Sequence, residues 1–360
     1  MSARPARRLT ALALAGVTLA GAGAALTAGS ASAVTLPAPG STALGWSAAI
    51  RHASGLHDGR GTLVLVPPSG GIVTIGSVSD DAWLADVSPD GRKVITARIQ
   101  AGEGLRATVW DTATKKATYF RVAGQTPGNV DLAFGGDGIL LHPRGYNVQS
   151  RRIDGSFVRS WASYGEDTTP SPNGALVYQA NDTRIYERNA KTGVVSRSWA
   201  VPAAYRGAER FCKVGQQWDA ASVSVDCNGG GLGMDQTFRL VTATGAMTAM
   251  SPQNSAHASP TSPKRVAEVG SNCNAVGYVD QTGYHSLPGM QSEDADSSTS
   301  LSGAFSSSAY FASSSCFTDT ANRWWLGKYD LTTNRVTRLA GSGTTSGGMI
   351  AQAQTIDGHH

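Results

Sequence analysis

The chain is poor in charge, aromatic rings and cysteine. Of its 360 residues 16% are charged, 7% are aromatic and 4 are cysteine. No C-x-x-C pair occurs and no histidine cluster accompanies the cysteines, which argues against the common zinc sites. A Gly-x-Gly-x-x-Gly turn and a phosphate loop are both missing. Gly229-Gly230-Gly231-Leu232-Gly233 has neither the spacing nor the helix such a loop needs. The nearest approach to a nucleophile elbow, Gly45-Trp46-Ser47-Ala48-Ala49, lacks the second glycine. Asp86-Val87-Ser88-Pro89-Asp90-Gly91 copies the first half of a calcium loop, but position twelve is Ala97 instead of a bidentate acid. Beyond the first 33 residues no run reaches the roughly 18 apolar residues of a membrane span. No basic run or stripe is present either, so nucleic acid finds no electrostatic footprint.

What is present begins with a leader. Arg4, Arg7 and Arg8 precede an Ala/Leu-rich stretch from about Leu9 to Leu26, and Ala31-Ser32-Ala33 is a small-x-small cleavage site. These features predict a secretory signal peptide over residues 1–33, and hence a secreted protein. Residues 34–41 read as a flexible lead-in, and 42–360 as one domain. Removing the leader takes away three arginines and leaves 27 basic against 26 acidic residues. The mature chain is therefore nearly neutral. Arg outnumbers Lys 23 to 7, a usage common in high-GC bacteria, so a bacterial source with a cell-envelope or extracellular site is expected.

One pattern recurs seven times: a β-rich run, a short polar turn, a second β-rich run. The turns end at Gly70, Lys115, Gly155, Gly193, Gly245, Gly283 and Asn334, with spacings of 45, 40, 38, 52, 38 and 51. A four-stranded propeller blade takes about 40–50 residues. The expected fold is all-β, a seven-bladed β-propeller of four-stranded blades closed by the two termini. Six blades with an extra hairpin is the alternative. In the second repeat the strands are placed at Asp81–Ser88, Lys93–Ile99, Leu105–Trp110 and Ala117–Val122. Arg159-Ser160-Trp161-Ala162 recurs 38 residues later as Arg197-Ser198-Trp199-Ala200, the same outer strand in consecutive blades. Trp46–His52 and a C-terminal strand near Met349–Ile356 are expected to complete the blade begun by Gly61–Val66 and Ile72–Ile75. A closed ring has no free sheet edges between its ends.

Ser88-Pro89-Asp90-Gly91, its echo Ser171-Pro172-Asn173-Gly174 and the dipeptide Trp110-Asp111 resemble the TolB-like and WD40-like propeller repeats. The resemblance is clear over about residues 80–200 and covers the propeller portion only. It implies a β-propeller scaffold used for binding, and nothing about catalysis.

Four cysteines in an exported chain suggest two disulfides. Cys212 falls early in an inner strand and Cys227 late in the next antiparallel strand, so these two are expected to pair. Cys273 and Cys316 fall near the ends of second strands in neighbouring blades and form the other expected pair.

Three crossings between blades are acidic: Asp80-Asp81, Glu166-Asp167 and Glu293-Asp294-Ala295-Asp296. They form a candidate ligand face, with Trp83, Tyr164 and Trp218 near enough to stack on a sugar or peptide. The sequence calls for no cofactor; Ca²⁺ is the ion that converging carboxylate oxygens would suit. The Ser-rich stretch Ser286–Ser315 is a candidate specificity loop. The first expectation is a monomeric binding module for a protein, peptide or glycan. The alternatives are an extracellular lyase or glycosidase using the acidic crossings, and a passive structural component of the envelope.

Overall fold

Among the described residues, hydrogen bonding produces only β-strands and turns, apart from one 3-10 turn at Ala203–Tyr205. The computed structural model describes residues 35–39, 41–52, 60–100, 103–122, 130–136, 138–143, 146–165, 167–207, 210–229, 235–251, 258–259, 265–269, 275–280, 282–288, 297–315, 324–341 and 349–356. Leu36–His360 is one compact unit, distinct from Met1–Thr35.

The described strands form seven four-stranded antiparallel sheets. Sheet 1 runs, from inside outward, β28 (Met349–Thr355), β1 (Ser47–His52), β2 (Arg60–Val66) and β3 (Val73–Ser79). Sheet 2 is β4 (Trp83–Val87), β5 (Lys93–Gln100), β6 (Gly104–Asp111) and β7 (Lys116–Val122). Sheet 3 is β8 (Val130–Gly135), β9 (Gly138–Pro143), β10 (Val148–Arg151) and β11 (Phe157–Trp161). Sheet 4 is β12 (Thr169–Pro170), β13 (Leu176–Ala180), β14 (Arg184–Asn189) and β15 (Val195–Ala200). Sheet 5 is β16 (Phe211–Asp219), β17 (Ser222–Asn228), β18 (Gln236–Val241) and β19 (Met247–Ala249). Sheet 6 is β20 (Ala258–Ser259), β21 (Arg265–Val269), β22 (Ala275–Asp280) and β23 (Gly283–Ser286). Sheet 7 is β24 (Ser297–Phe305), β25 (Ser308–Ser315), β26 (Trp325–Asp330) and β27 (Arg335–Gly341). The fold is an all-β propeller with four-stranded blades.

Sheet 1 joins the two ends of the compact unit. Ser47 of β1 lies opposite both Val66 of β2 and Thr355 of β28. The expected completion of the first repeat by the C-terminal strand is what the pairing shows.

Local chemistry explains the corners. In the β4–β5 turn Ser88 Oγ donates to Asp90 Oδ1 at 2.7 Å and accepts from Lys93 N at 2.8 Å. In the β12–β13 turn Ser171 Oγ donates to Asn173 Oδ1 at 2.8 Å and accepts from Leu176 N at 3.0 Å. Gly91 and Gly174 close both turns at φ of 66° and 65°, a left-handed conformation that favours glycine. The half calcium loop is thus a hairpin corner. In the turns between third and fourth strands, Asp111, Asp154 and Asp330 accept backbone N–H bonds from Thr114, Ser156 and Thr333, which hold their carboxyls below the usual range.

Packing between sheets follows the same repeat. The turn glycine of one sheet rests on an aromatic ring from the outer strand of the sheet before it. Gly155 meets Phe120, Gly193 meets Trp161, and Gly245 meets Trp199. A Cβ at Gly193 would lie 2.3 Å from the Trp161 ring, so no larger residue fits. The repeated Trp161 and Trp199 seen in the sequence therefore anchor consecutive boundaries. Trp324 is buried against residues of sheet 1, and Trp325 packs with Val276 and Leu287 on the sheet 6 side.

Near the axis, side chains tie one sheet to the next. Ser302 and Thr355 hydroxyls bond at 2.9 Å across sheets 7 and 1. Leu84 N donates to Gln352 Oε1 at 2.5 Å across sheets 1 and 2. Thr169 Oγ1 donates to Val214 O at 2.6 Å across sheets 4 and 5.

One expectation is corrected. Ser286–Ser315 is not a loop along most of its length, because Ser297–Phe305 and Ser308–Ser315 are paired strands. Ala304, Ala309, Tyr310 and Phe311 are buried there. Serine is small enough to alternate with these core residues without interrupting the ladder. Residues 289–296 lie outside the described residues.

Candidate functional site

Antiparallel strands put alternate connections at opposite ends of a sheet. First-to-second and third-to-fourth connections leave at one end; the others leave at the opposite end. The first set is short, from 2 residues at 306–307 to 6 at 67–72. The second set reaches 10 residues at 201–210 and at 287–296, 9 at 316–324, 8 at 250–257, and 7 at 53–59, 123–129, 162–168, 229–235 and 342–348. Chain length beyond what a turn requires is concentrated on one face, here called the long-loop face. Such length, carried on a rigid scaffold, is where binding residues concentrate.

A cavity of about 340 Å³ opens between the inner strands of sheets 1 to 4. Trp83, Asp86, Asp131, Thr168, Thr169 and Gln354 are among the residues lining it. Asp86 is spent on structure: Oδ1 accepts from Val87 N at 2.8 Å and from Gln354 Nε2 at 3.2 Å, and Oδ2 accepts from Phe134 N at 2.7 Å. It ties three successive inner strands together. Asp131 is different. Its Oδ2 accepts from Thr168 N at 3.0 Å, yet the side chain keeps 38% of its surface. It is the more exposed of the two carboxylates that line the cavity.

Behind Asp131 runs a buried polar chain. The Thr168 hydroxyl bonds His142 Nδ1 at 2.8 Å and accepts from Gln179 Nε2 at 3.1 Å. Arg188 donates to Gln179 Oε1 at 2.8 Å and to Gly193 O at 2.8 Å. His142 has no exposed surface, and its Nδ1 lies 3.8 Å from Asp131 Oδ2. These partners fix Thr168, at the end of the crossing into sheet 4, against Asp131 of sheet 3, so the cavity wall is held before any ligand arrives.

A second cleft, of about 270 Å³, lies between sheets 4 and 5. Asp167, Asp182, Arg210, Phe211 and Cys212 line it. Phe211 is exposed at its rim. Tyr164, also exposed, stacks on Tyr186 at 4.7 Å and lies under the Arg188 guanidinium at 4.6 Å. The Cys212–Cys227 disulfide, between directly opposed residues of β16 and β17, pins this cleft's wall. It is the pairing expected from the strand positions.

Among the described residues of the acidic crossings, Asp80, Asp81 and Asp167 are not part of the axial cavity's lining. Asp80 and Asp81 are exposed between β3 and β4, and Asp81 pairs with Arg98 at 3.7 Å. Asp167 belongs to the cleft between sheets 4 and 5. Glu166, Glu293, Asp294 and Asp296, and likewise Cys273 and Cys316, lie outside the described residues. Among the described residues no three His, Cys, Asp or Glu side chains group as metal ligands, and no helix is long and apolar enough to cross a membrane. Of the three aromatics, Trp83 lines the cavity and Tyr164 is exposed. By sequence, Asp86 belongs to the half calcium loop, and Asp131, His142 and Thr168 carry no assigned site role. A lone acid among apolar neighbours, as in Val130-Asp131-Leu132, is the signal that marks Asp131.

No protein-family model matches the sequence, and no curated protein matches it. Solved structures match in fold. One, from a structural and mechanistic study of two prolyl endopeptidases, has a TM-score of 0.53 at 13% identity. The match covers 87% of this chain and 51% of that one, so this chain spans about half the length of the endopeptidase. Another, BamB from Moraxella catarrhalis, has a TM-score of 0.46 at 13% identity, covering 86% of this chain and 89% of that one. At this identity the likeness concerns the fold alone. The four-stranded sheets of the propeller are consistent with the resemblance to TolB-like and WD40-like repeats.

Proposed function

We propose that this chain is an exported, monomeric propeller module that binds a protein, peptide or glycan on its long-loop face. The observation that carries the reading is the axial cavity, whose lining includes the half-exposed carboxylate of Asp131 and the indole of Trp83. A carboxylate beside an aromatic face suits a cationic side chain or a sugar with its hydroxyls. The seven sheets are taken as blades of a single closed ring, and residues 1–33 as a secretory signal removed on export. The disulfide is in keeping with an oxidising compartment.

A glycosidase reading is weaker. That chemistry uses two carboxyl groups flanking the scissile bond. Asp86 has both oxygens bonded to structural donors, which leaves Asp131 without a second acid at the cavity among the described residues.

The test is affinity capture from cell-envelope and culture extracts with the disulfide-bonded protein as bait. Bound material is identified by mass spectrometry and sugar analysis, and its affinity is then measured against Asp131→Asn and Trp83→Ala. Either change is expected to weaken binding by about tenfold or more, the scale of one charge-assisted bond or one aromatic contact. Unchanged affinity in both variants, with folding intact, would remove the cavity from the account.

A further inference from the structure

Charge is sorted by radius in this protein. The seven outer strands, β3, β7, β11, β15, β19, β23 and β27, contain six basic residues and no Asp or Glu. The bases are Lys116, Arg121, Arg159, Arg197, Arg335 and Arg338. The seven inner strands contain Asp86, Asp131 and Asp219 against one base, Lys213. The outer strands themselves thus carry bases and no acids, while Arg121 is paired with Glu103 at 2.7 Å and Arg197 with Glu187 at 3.8 Å from the adjoining segments.

Edge strands often carry charge to block edge-to-edge pairing. Either sign would serve that purpose, and this rim uses one. A second observation points to a ligand. On the outer strands of sheets 2 and 3, two aromatic rings are held out in solvent, Tyr119 at 60% and Phe157 at 54% exposure. Each lies beneath a guanidinium from the adjoining strand: Arg106 is 4.5 Å from the Tyr119 ring, and Arg151 is 6.0 Å from that of Phe157. Lys116 and Arg159 are exposed on the same two strands. Tyr119 borders a cleft that Ser77 and Ser79 of sheet 1 also line; exposed rings can stack on sugar faces, and exposed bases pair with anions.

We propose that the outer rim of sheets 2 and 3 is a docking surface for a polyanionic polysaccharide, separate from the axial cavity. Successive blades of a propeller fan about the axis. A flat bilayer therefore meets few rim residues at once, whereas a flexible chain follows several.

The test uses immobilised dextran sulfate, neutral dextran and phosphatidylglycerol vesicles as probes for the disulfide-bonded protein. Dextran sulfate is expected to bind and neutral dextran not to. Raising salt from about 50 to about 200 mM is expected to weaken that binding by about tenfold or more, because condensed counterions are released on association. Lys116→Gln/Arg159→Gln is expected to weaken it by about tenfold. The charge-matched control Arg60→Gln/Lys213→Gln is expected to change it by less than about twofold. Thermal unfolding of both variants checks that the fold is intact, and the salt series on the unmodified protein stands without them. Three results would overturn the proposal: equal losses in the two variants, no preference for dextran sulfate over dextran, or binding to the vesicles alone.

Discussion

Deleting residues 349–360 is expected to abolish cooperative folding. The deletion removes β28, the inner strand of sheet 1, and leaves Ser47–His52 without the partner on its axial side. The damage is not confined to that sheet. Leu84 N loses Gln352, Asp86 loses Gln354 and Ser302 loses Thr355, so the boundaries on both sides are opened. Ile356, which is buried, also bonds through its backbone to Gly45 and Trp46. The ladder bonds lost along β1, at about 0.5–1.5 kcal/mol net each, together with the lost burial of Thr355 and Ile356, are comparable to the roughly 5–15 kcal/mol that holds a typical domain folded. Urea titration followed by circular dichroism should show a broad, non-cooperative loss of structure where the intact chain gives a single transition. A peptide spanning residues 346–360, added in trans, should restore part of that transition. A truncated protein that unfolds as sharply as the whole chain would mean that the ring does not depend on its last strand.

Cys212→Ser/Cys227→Ser is expected to lower stability by about 3 kcal/mol, the chain-entropy value for a closed loop of about 15 residues. The two cysteines are 15 positions apart, and both are buried in the core shared by sheets 4 and 5. Cys212 also lines the cleft with Asp167 and Arg210. Loosening it should therefore raise hydrogen exchange at residues 210–214 more than at the distant corner 88–92. Denaturant midpoints of the oxidised protein and the double variant measure the first effect. A difference below about 1 kcal/mol would show that the two strands' own ladder already supplies the constraint.

Much of the fold could be read from the chain because its signals are local. Asp90-Gly91 and Asn173-Gly174 build their corners from side chains two residues away, so three or four letters suffice to place a turn. The recurrence of Arg-Ser-Trp-Ala at the same offset as Gly155 and Gly193 was visible for a related reason: ring and glycine meet across each boundary, and both must keep their spacing. The cavity was harder to see. Which inner-strand residues face the axis depends on register, and β4 shifts register between Leu84 and Asp86. That irregularity falls beside the position where Asp86 reaches Phe134 on the next sheet. Nothing within eight letters reveals a partner 48 positions away. Of the acidic crossings, which are conspicuous as like charges in a loop, Asp80 and Asp81 are exposed surface groups and Asp167 lines the cleft between sheets 4 and 5. The serine-rich strands of sheet 7 misled for the opposite reason. Serine is a weak strand signal on its own, and Phe311 and Tyr310 supply the burial that makes β25 a strand.

The central claim is that ligands meet this protein on the long-loop face, over the axial cavity. Hydrogen-exchange mass spectrometry of the protein with and without its captured partner tests that claim most directly. Protection is expected in 162–168, in 201–210 and at the cavity wall around 83–86 and 130–133. Protection confined to the short corners at the other end of the sheets, such as 88–92 and 171–175, would contradict it.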